Sequence, residues 1–194
     1  MKKIFLGLLI TALPFLVLAQ QNPTGIEVSS KAPVFAAKDQ AGNMIKLAEY
    51  NKKGPVVLVF YRGQWCPYCN KQLKAIQDSL SMIVGKGASL IAISPEKAEN
   101  VAKTIAKTNA TYPIIFDDGL QIMNLYKVAF KVDDATVARY KTFGVDFNEA
   151  NGSNGAVLPV PAVYIVGKNG DIIFRHFDPD YRKRVSVKEI LSHL

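Results

Sequence analysis

The chain has 194 residues, a formal net charge of +8 and 49% hydrophobic residues. This length suits a single domain with a sizeable apolar core. The basic residues are spread along the sequence, and the densest group is only Arg182-Lys183-Arg184. The charge therefore indicates a solvated surface rather than a nucleic-acid-binding face, and we expect no nucleic-acid partner.

The first predicted element is an export signal at residues 1–19. Two lysines precede an apolar run that ends at Ala19, with small residues at the positions of a cleavage site. A transmembrane anchor is the alternative, but Pro14 breaks the run and no group of basic residues follows it directly. We predict a mature chain that starts at Gln20, is periplasmic or secreted, and makes no membrane contact after cleavage.

The next residues, 20–33, are polar and are predicted to form an N-terminal tail, so the domain itself is expected at residues 34–194. Near its start, a weakly signalled strand pair flanks a turn at residues 41–43. The run at residues 56–61 is β-branched and aromatic throughout, which is typical of a strand buried on both faces. We expect this strand to be central.

Helices and strands alternate after the central strand. Apolar residues at helical spacing from Cys69 onward predict a helix that ends at two nearby glycines, and residues 89–94 form a second buried strand. Ser94 is predicted to cap the next helix, with Pro95 at its first position. A third strand is expected at residues 114–116, followed by a brief helix.

The last part of the domain is less regular, with an insertion at about residues 128–160. The insertion contains a predicted helix at residues 133–142 and leads into a Gly- and Asn-rich loop at residues 148–161, whose length suggests a functional role. A hairpin of residues 162–167 and 172–177 and a final helix follow. This order predicts an α/β fold with a mixed central sheet and helices on both faces.

The two cysteines of the chain, Cys66 and Cys69, follow the central strand at the start of a predicted helix. The unpaired N–H groups and the positive dipole end of that helix favour a thiolate at Cys66. Pro67 suits the first helical position because it has no N–H group. Cys69 lies one turn further in, within disulfide reach, so we predict that Cys66 is the nucleophile and Cys69 resolves its adduct.

Three other interpretations of the cysteines are open. Zinc binding would combine them with His176 and His193, but the sequence lacks a second pair at ligand spacing. Two inert core thiols are the second interpretation. A purely structural disulfide is the third, although a bridge over so short a loop stabilises little. We expect redox chemistry, with no cofactor and no metal.

Aromatic residues and prolines near the cysteines are candidates for substrate binding. Trp65 is ordinarily a core residue and Tyr68 a surface aromatic, but beside a nucleophile both can shape a groove. Pro161 opens a predicted strand, where proline is tolerated. A cis peptide bond between Val160 and Pro161 would bring this backbone against the sulfurs, and we predict that isomer.

Five separated segments resemble the peroxiredoxin-like branch of the alkyl hydroperoxide reductase and thiol-specific antioxidant family: F-Y-R-G-Q-W-C-P-Y-C-N-K-Q-L, A-I-S-P-E, Y-P-I-I-F-D-D, L-P-V-P-A-V-Y-I-V and F-D-P-D-Y-R-K-R. The resemblance covers residues 30–194 and implies a thioredoxin-like fold. It also implies that Cys66 attacks a hydroperoxide and becomes a sulfenic acid, with which Cys69 condenses to a disulfide. A thioredoxin-like or other thiol reductant would then reset the pair.

The chain departs from peroxiredoxins at three positions, two of them in the pattern P-x-x-x-T-x-x-C and one before a later strand. Val59 stands at the proline position, Gly63 at the threonine position, and Pro161 where an arginine is expected before a later strand. Arg62, four residues before the nucleophile, is a hypothetical substitute donor to the peroxide. Glu96 and a water molecule are the candidate proton acceptors.

Two further functions are open beside peroxide reduction. The Pro-Tyr pair between the cysteines is similar to that of glutaredoxins, which favours a thiol-disulfide oxidoreductase that acts on protein disulfides. The other is a redox-labile binding module that uses the loop at residues 148–161 for a protein partner.

Overall fold

The protein is described by a computed structural model that covers residues 22–194, so the predicted export signal lies outside the described residues. The elements follow one another as β1 (Ala36–Lys38), β2 (Met44–Lys46), α1 (Leu47–Lys53), β3 (Val56–Phe60), α2 (Pro67–Asp78), α3 (Leu80–Gly85), β4 (Ser89–Ser94), α4 (Ala98–Thr108), β5 (Ile114–Phe116), α5 (Gln121–Leu125), β6 (Ala129–Lys131), α6 (Asp134–Thr142), α7 (Phe147–Asn151), β7 (Val157–Pro159), β8 (Ala162–Val166), β9 (Ile172–Phe177) and α8 (Val187–Ser192).

A five-stranded mixed sheet in the order β5-β4-β3-β8-β9 forms the centre of the fold. β3 runs parallel to β4 and antiparallel to β8, and all five of its residues are buried. This confirms the prediction of a central strand covered on both faces. Since side chains alternate along a strand, Val57 and Val59 face a core that includes α2, α4 and α8, whereas Leu58 and Phe60 face a core that includes α5.

The helix predicted from Cys69 onward is two helices, because Ser79 leaves the helical conformation between α2 and α3. The prediction that Ser94 caps the next helix with Pro95 at its first position is wrong. α4 begins at Ala98, and Ser94 Oγ instead accepts a hydrogen bond of 3.2 Å from the Glu96 N–H. The turn that results takes Glu96 into the protein interior.

The Gly- and Asn-rich segment at residues 148–161, predicted as a long loop, is largely regular. It holds most of α7, a short 3-10 turn and β7, which pairs with β6. Its asparagines act as backbone partners: Asn154 Nδ2 donates to Pro95 O at 2.9 Å and to Asp117 O at 3.0 Å. Asparagine, which is typical of loops, here holds the segment in place by hydrogen bonds to the backbone of neighbouring parts of the chain.

The predicted cis bond between Val160 and Pro161 is also wrong, since every peptide bond described in residues 22–194 is trans. A cis proline shortens the chain and normally sits in a tight turn. Here the chain instead passes directly from β7 into β8, with only Val160 and Pro161 between the two strands. The trans bond suits this extended connection.

The residues predicted to be an N-terminal tail, from 22 to 33, are held to the domain by backbone hydrogen bonds. The Ser29 N–H donates to Ile172 O at 2.8 Å, and the Ala32 N–H donates to Gly170 O at 2.9 Å. Across the described range, the helices are all too short or too polar to cross a membrane.

Candidate active site

The two cysteines lie at the carboxyl edge of the parallel strands β3 and β4. A short loop leads from β3 to Cys66, which caps α2, while Glu96 follows the end of β4 on the same edge. Sites collect at this edge in open α/β sheets because several loops meet there. The sheet therefore places both thiols beside a buried carboxyl group.

Cys66 and Cys69 are both free thiols in the interior, with Cys66 2% exposed and Cys69 fully buried. Cys66 Sγ accepts a hydrogen bond of 3.4 Å from the Cys69 N–H, as expected for a sulfur at the start of a helix. Pro67 is the first residue of α2, as predicted. One turn of helix thus holds the two sulfurs on the same side of the site.

Arg184 contacts the thiol pair from the C-terminal part of the chain. Its Nη2 donates to Cys69 Sγ at 3.4 Å, and its Nη1 donates to Gln72 Oε1 at 3.0 Å. In the sequence, this arginine belongs to a basic group expected at the solvated surface, and its only other signal is its place in the family-like segment F-D-P-D-Y-R-K-R. The arginine brings a positive charge to the sulfur that is most deeply buried.

The interaction between the two thiols shifts their pKa values in opposite directions. The hydrogen bond that the Cys66 thiol donates to Cys69, together with burial, raises the pKa of Cys66. Burial also acts to raise the pKa of Cys69, but the Cys66 hydrogen bond and the Arg184 charge outweigh it and lower that pKa. The sequence predicts the thiolate at Cys66, whereas Arg184 draws the first negative charge of the reduced pair toward Cys69.

Arg62 is a buried cation among aromatic rings, with 4% of its surface exposed. Its guanidinium carbon lies 4.9 Å from the Trp65 ring centre, 5.4 Å from that of Tyr140 and 4.2 Å from that of Tyr181. Its Nη2 donates to the Tyr140 hydroxyl, and its Nε is buried without a hydrogen-bond partner. Its charge favours the ionised form of both cysteines.

The aromatic residues beside the cysteines divide as the sequence suggests. Trp65 packs edge-on against Tyr140 and Phe147, with ring centres 5.3 and 5.7 Å away. Tyr68 is 41% exposed and meets Tyr181 edge-on at 5.7 Å. Trp65 therefore connects the site to α6 and α7, while Tyr68 and Tyr181 form a partly exposed pair.

Val160 and Pro161 lie where β7 passes into β8. The Val160 N–H donates to Val128 O at 2.8 Å, which ties this connection to the end of the α5 segment. Pro161 lines a cavity that Arg62 also lines. The roles of both residues in substrate binding stay predictions.

Glu96 is the buried acid of the site, with no exposed surface. Its Oε2 accepts a hydrogen bond of 2.7 Å from the Gln64 N–H, while its Oε1 is buried without a partner. Burial raises the pKa of Glu96 to about 8, the Gln64 hydrogen bond opposes this, and the charge of Cys69 adds to it. At neutral pH, Glu96 is therefore largely protonated.

Gly63 stands where the peroxiredoxin pattern has threonine, in a backbone conformation with φ of +151° that favours glycine. A Cβ atom at this position would lie 2.5 Å from Trp65 Nε1 and 2.7 Å from Glu96 Oε1. Both of those polar atoms are buried without hydrogen-bond partners. The indole and the carboxyl group thus fill the space that a side chain at position 63 would take.

The zinc interpretation gains no support from the geometry. Within residues 22–194, the side chains of His, Cys, Asp and Glu form no group of three or more that could hold a metal ion. His193 instead packs against the Phe174 ring at 4.3 Å. The cysteines and histidines are therefore not gathered into one site.

Known proteins resemble this chain in both sequence and fold. A profile of the AhpC/TSA family matches residues 28–175. The thiol-disulfide oxidoreductase ResA of Geobacillus thermodenitrificans is 25% identical over 175 residues, which cover 89% of this chain and 83% of that protein. Peroxidoxin BcpB of Mycobacterium tuberculosis superposes with a TM-score of 0.66 at 18% identity, over 87% of this chain and 96% of that one. The thioredoxin domain of a Bacteroides vulgatus thiol-disulfide oxidoreductase superposes with a TM-score of 0.56 at 17% identity, over 81% and 93% of the two chains.

These matches confirm the thioredoxin-like α/β fold, with its mixed sheet and its helices on both faces. The relatives comprise peroxiredoxins and thiol-disulfide oxidoreductases, and together with the Cys66-x-x-Cys69 pair they support a thiol-based redox function. The family profile covers most of the described domain. The chain belongs to the AhpC/TSA family.

Proposed function

We propose that this protein is a thiol peroxidase in which Cys66 reduces a hydroperoxide, Cys69 resolves the product, and an external thiol reductant restores the dithiol. The observation that carries the proposal is the enclosure of the thiol pair. Cys66 is 2% exposed, and close to it in the chain Tyr68 packs against Tyr181, which also packs against Arg62. A peroxide oxygen is small enough to enter such a site, whereas a protein disulfide needs an exposed sulfur to attack it.

The proposed reaction has two steps. Cys66 passes its proton to the Cys69 thiolate and attacks one peroxide oxygen, so that an S–O bond forms, the O–O bond breaks, and the alkoxide that leaves takes up a proton. Cys69 then displaces the hydroxyl of the Cys66 sulfenic acid as water, which leaves a disulfide. The pair loses two electrons and the peroxide becomes an alcohol and water.

Glu96, a candidate proton acceptor from the sequence, is proposed instead as the proton donor, because its raised pKa leaves it protonated at neutral pH. When one of the two cysteines is already ionised, the pair and the hydroperoxide together bring two protons. The alcohol and the water that the reaction releases need three, so one further proton must be donated. Glu96 carries a proton below its pKa of about 8, and its Oε1 has no competing hydrogen bond. An acid tuned to the working pH is effective at such transfers.

The decisive experiment is stopped-flow oxidation of the reduced protein by hydrogen peroxide, followed through the fluorescence of Trp65, the single tryptophan of the chain. We expect rapid oxidation that Cys66→Ser abolishes. Cys69→Ser should stop the reaction at a sulfenic acid, which dimedone traps and mass spectrometry detects. Slow oxidation of the wild type, together with rapid exchange against a model disulfide, would contradict the proposal.

Arg62 is proposed to stabilise negative charge at Cys66 and on the oxygen that leaves. Arg62→Ala should slow oxidation about tenfold or more, because a buried cation beside the reacting atoms is lost. Arg182→Ala is the control, since Arg182 is exposed and pairs with Asp180. Intact peroxide turnover in the Arg62 variant would remove this role.

A thiol-disulfide oxidoreductase is the second candidate, favoured by the similarity to ResA over 89% of the chain. Rapid exchange with disulfides, and not with peroxide, would establish it. A protein inert in both assays would leave the redox-labile binding module.

Export to the periplasm or the medium is also proposed, on the sequence of residues 1–19. The N-terminal sequence of the mature protein tests it, with Gln20 as the expected first residue.

A further inference from the structure

A cavity of about 280 Å³ lies beside Arg62, between α6, the two-stranded sheet of β6 and β7, and the segment that carries Tyr181. Its volume equals that of about nine water molecules in the liquid, enough for the apolar body of a small organic ligand. Apolar side chains form part of its wall, with Phe130, Leu158 and Pro161 among them. The cavity therefore combines an apolar lining with the buried guanidinium of Arg62.

The charges around this cavity are mostly positive. Arg62, Lys131 and Arg139 line it, against one carboxylate, that of Asp133. Asp133 is engaged elsewhere, because its Oδ1 accepts a hydrogen bond of 2.8 Å from the Thr136 N–H and caps α6. Among the ion pairs of residues 22–194, none involves any of these three cations.

Arg62 is a buried positive charge with no ion-pair partner among residues 22–194, which is rare in a protein interior. A buried charge is normally paired with an opposite charge, because desolvation is costly. Aromatic rings and one tyrosine hydroxyl offset part of that cost, yet the Nε of Arg62 has no partner. An arginine fork in this state suits a planar anion that brings two oxygens.

We propose that this cavity binds a small organic monocarboxylate, whose carboxylate meets Arg62 and Arg139 and whose apolar body packs against Phe130, Leu158 and Pro161. A fully hydrated dianion such as phosphate would leave the apolar wall unused, and a neutral alcohol would leave the guanidinium unpaired. Binding of this kind does not require the proposed peroxidase reaction.

The test uses the full mature chain with both cysteines replaced, Cys66→Ser with Cys69→Ser, so that redox chemistry cannot contribute. Trp65 is the reporter, because its ring centre lies 4.9 Å from the Arg62 guanidinium carbon. We titrate octanoate and expect a saturable change in fluorescence with a Kd of about 1 mM or below, as a ligand of this size allows. Octan-1-ol and inorganic phosphate should give no saturable change.

Variants of α6 locate the carboxylate. Arg139→Gln should weaken octanoate binding at least fivefold and Arg139→Lys should restore most of it, since the charge returns. Lys141→Gln is the matched control, two residues further along α6 and paired with Asp146 outside this cavity. Circular dichroism shows whether each variant keeps its fold.

Four outcomes would overturn the proposal: no saturation by octanoate, equal binding of octan-1-ol, equal binding of phosphate, or unchanged affinity in a folded Arg139→Gln protein. The first would leave Arg62 as a structural cation held by its rings. Because the titrated variant lacks both cysteines, none of these outcomes bears on peroxide reduction by the wild type.

Discussion

Two buried carboxyl groups, Glu96 and Asp117, follow the neighbouring parallel strands β4 and β5 and lie in different surroundings. Both oxygens of Asp117 accept hydrogen bonds: Oδ1 from the Ile122 N–H at 3.0 Å and Oδ2 from the Met123 N–H at 2.8 Å. Glu96 has one such bond, and its second oxygen is buried alone. The first group holds the start of a helix, while the second can still exchange a proton.

Burial alone does not separate these two roles. Burial raises the pKa of both groups, but backbone N–H groups restrain the rise at Asp117, whereas at Glu96 the pKa reaches about 8. The difference depends on how many lone pairs already have partners. An unsatisfied oxygen on a buried acid is therefore the better indicator of a reactive group.

Asp117→Ala should give the largest effect, because it leaves two buried N–H groups without acceptors. We expect the free energy of unfolding in urea to fall by about 3 kcal/mol, since each unpaired donor costs about 1–3 kcal/mol. Peroxide oxidation per folded molecule should stay unchanged. Asp117→Asn, which keeps one acceptor oxygen, should lose less, and an equal loss would argue against the capping role.

Glu96→Gln should affect the reaction and not the stability. It should slow peroxide oxidation about a hundredfold, because general acid catalysis contributes on that scale. Its free energy of unfolding at pH 8 should not fall, since a neutral amide is no harder to bury than a carboxylate. Stopped-flow rates and urea curves measure the two quantities. A normal oxidation rate in this variant would show that Glu96, like Asp117, has a structural role and is not the proton donor.

The pH dependence of stability sharpens the contrast. The folded protein keeps the Glu96 proton up to a pKa of about 8, whereas the unfolded chain loses it near 4.5. Between these values the folded state binds more protons, so the unfolding free energy falls as pH rises. From pH 6 to pH 8 the wild type should lose about 2 kcal/mol more than Glu96→Gln. Parallel curves for the two proteins would show that burial does not raise this pKa.

Lys107→Met should give the smallest effect. Lys107 Nζ donates to Gln64 O at 3.0 Å, and its charge lowers the pKa of Glu96. Its removal should therefore move the upper pH limit of peroxide oxidation upward, by only about 0.3 pH units because the lysine is exposed and solvent screens it. Lys103→Met, on the same helix, is the control, and a downward shift would contradict this arrangement.

The fold could be predicted well wherever a pattern was local. The apolar run of β3 and the proline at the start of α2 determine their own structures, because burial and capping act over a few residues. The start of α4 was predicted wrongly because a partner far along the chain decides it. The Gln64 N–H binds Glu96 and favours a turn over the helix that Ser94 and Pro95 suggested.

The site shows the same division. The spacing of Cys66 and Cys69 and their position after a buried strand were enough to predict a thiol pair. Arg184 and Tyr140 reach that region from distant parts of the chain, and apart from the family-like segment that contains Arg184 the sequence gives no signal for these contacts. The shift of negative charge toward Cys69 could not be foreseen either, because it depends in part on Arg184.

The glycine at position 63 makes two arrangements of this thiol site mutually exclusive, one with a threonine at that position and one with the indole and the buried acid. A threonine there would need a different backbone and would overlap both the indole and the buried acid. Reintroducing the hydroxyl by a single exchange would therefore damage the pocket instead of improving it. Anyone who redesigns this enzyme toward the common peroxiredoxin arrangement must change Gly63, Trp65 and Glu96 together.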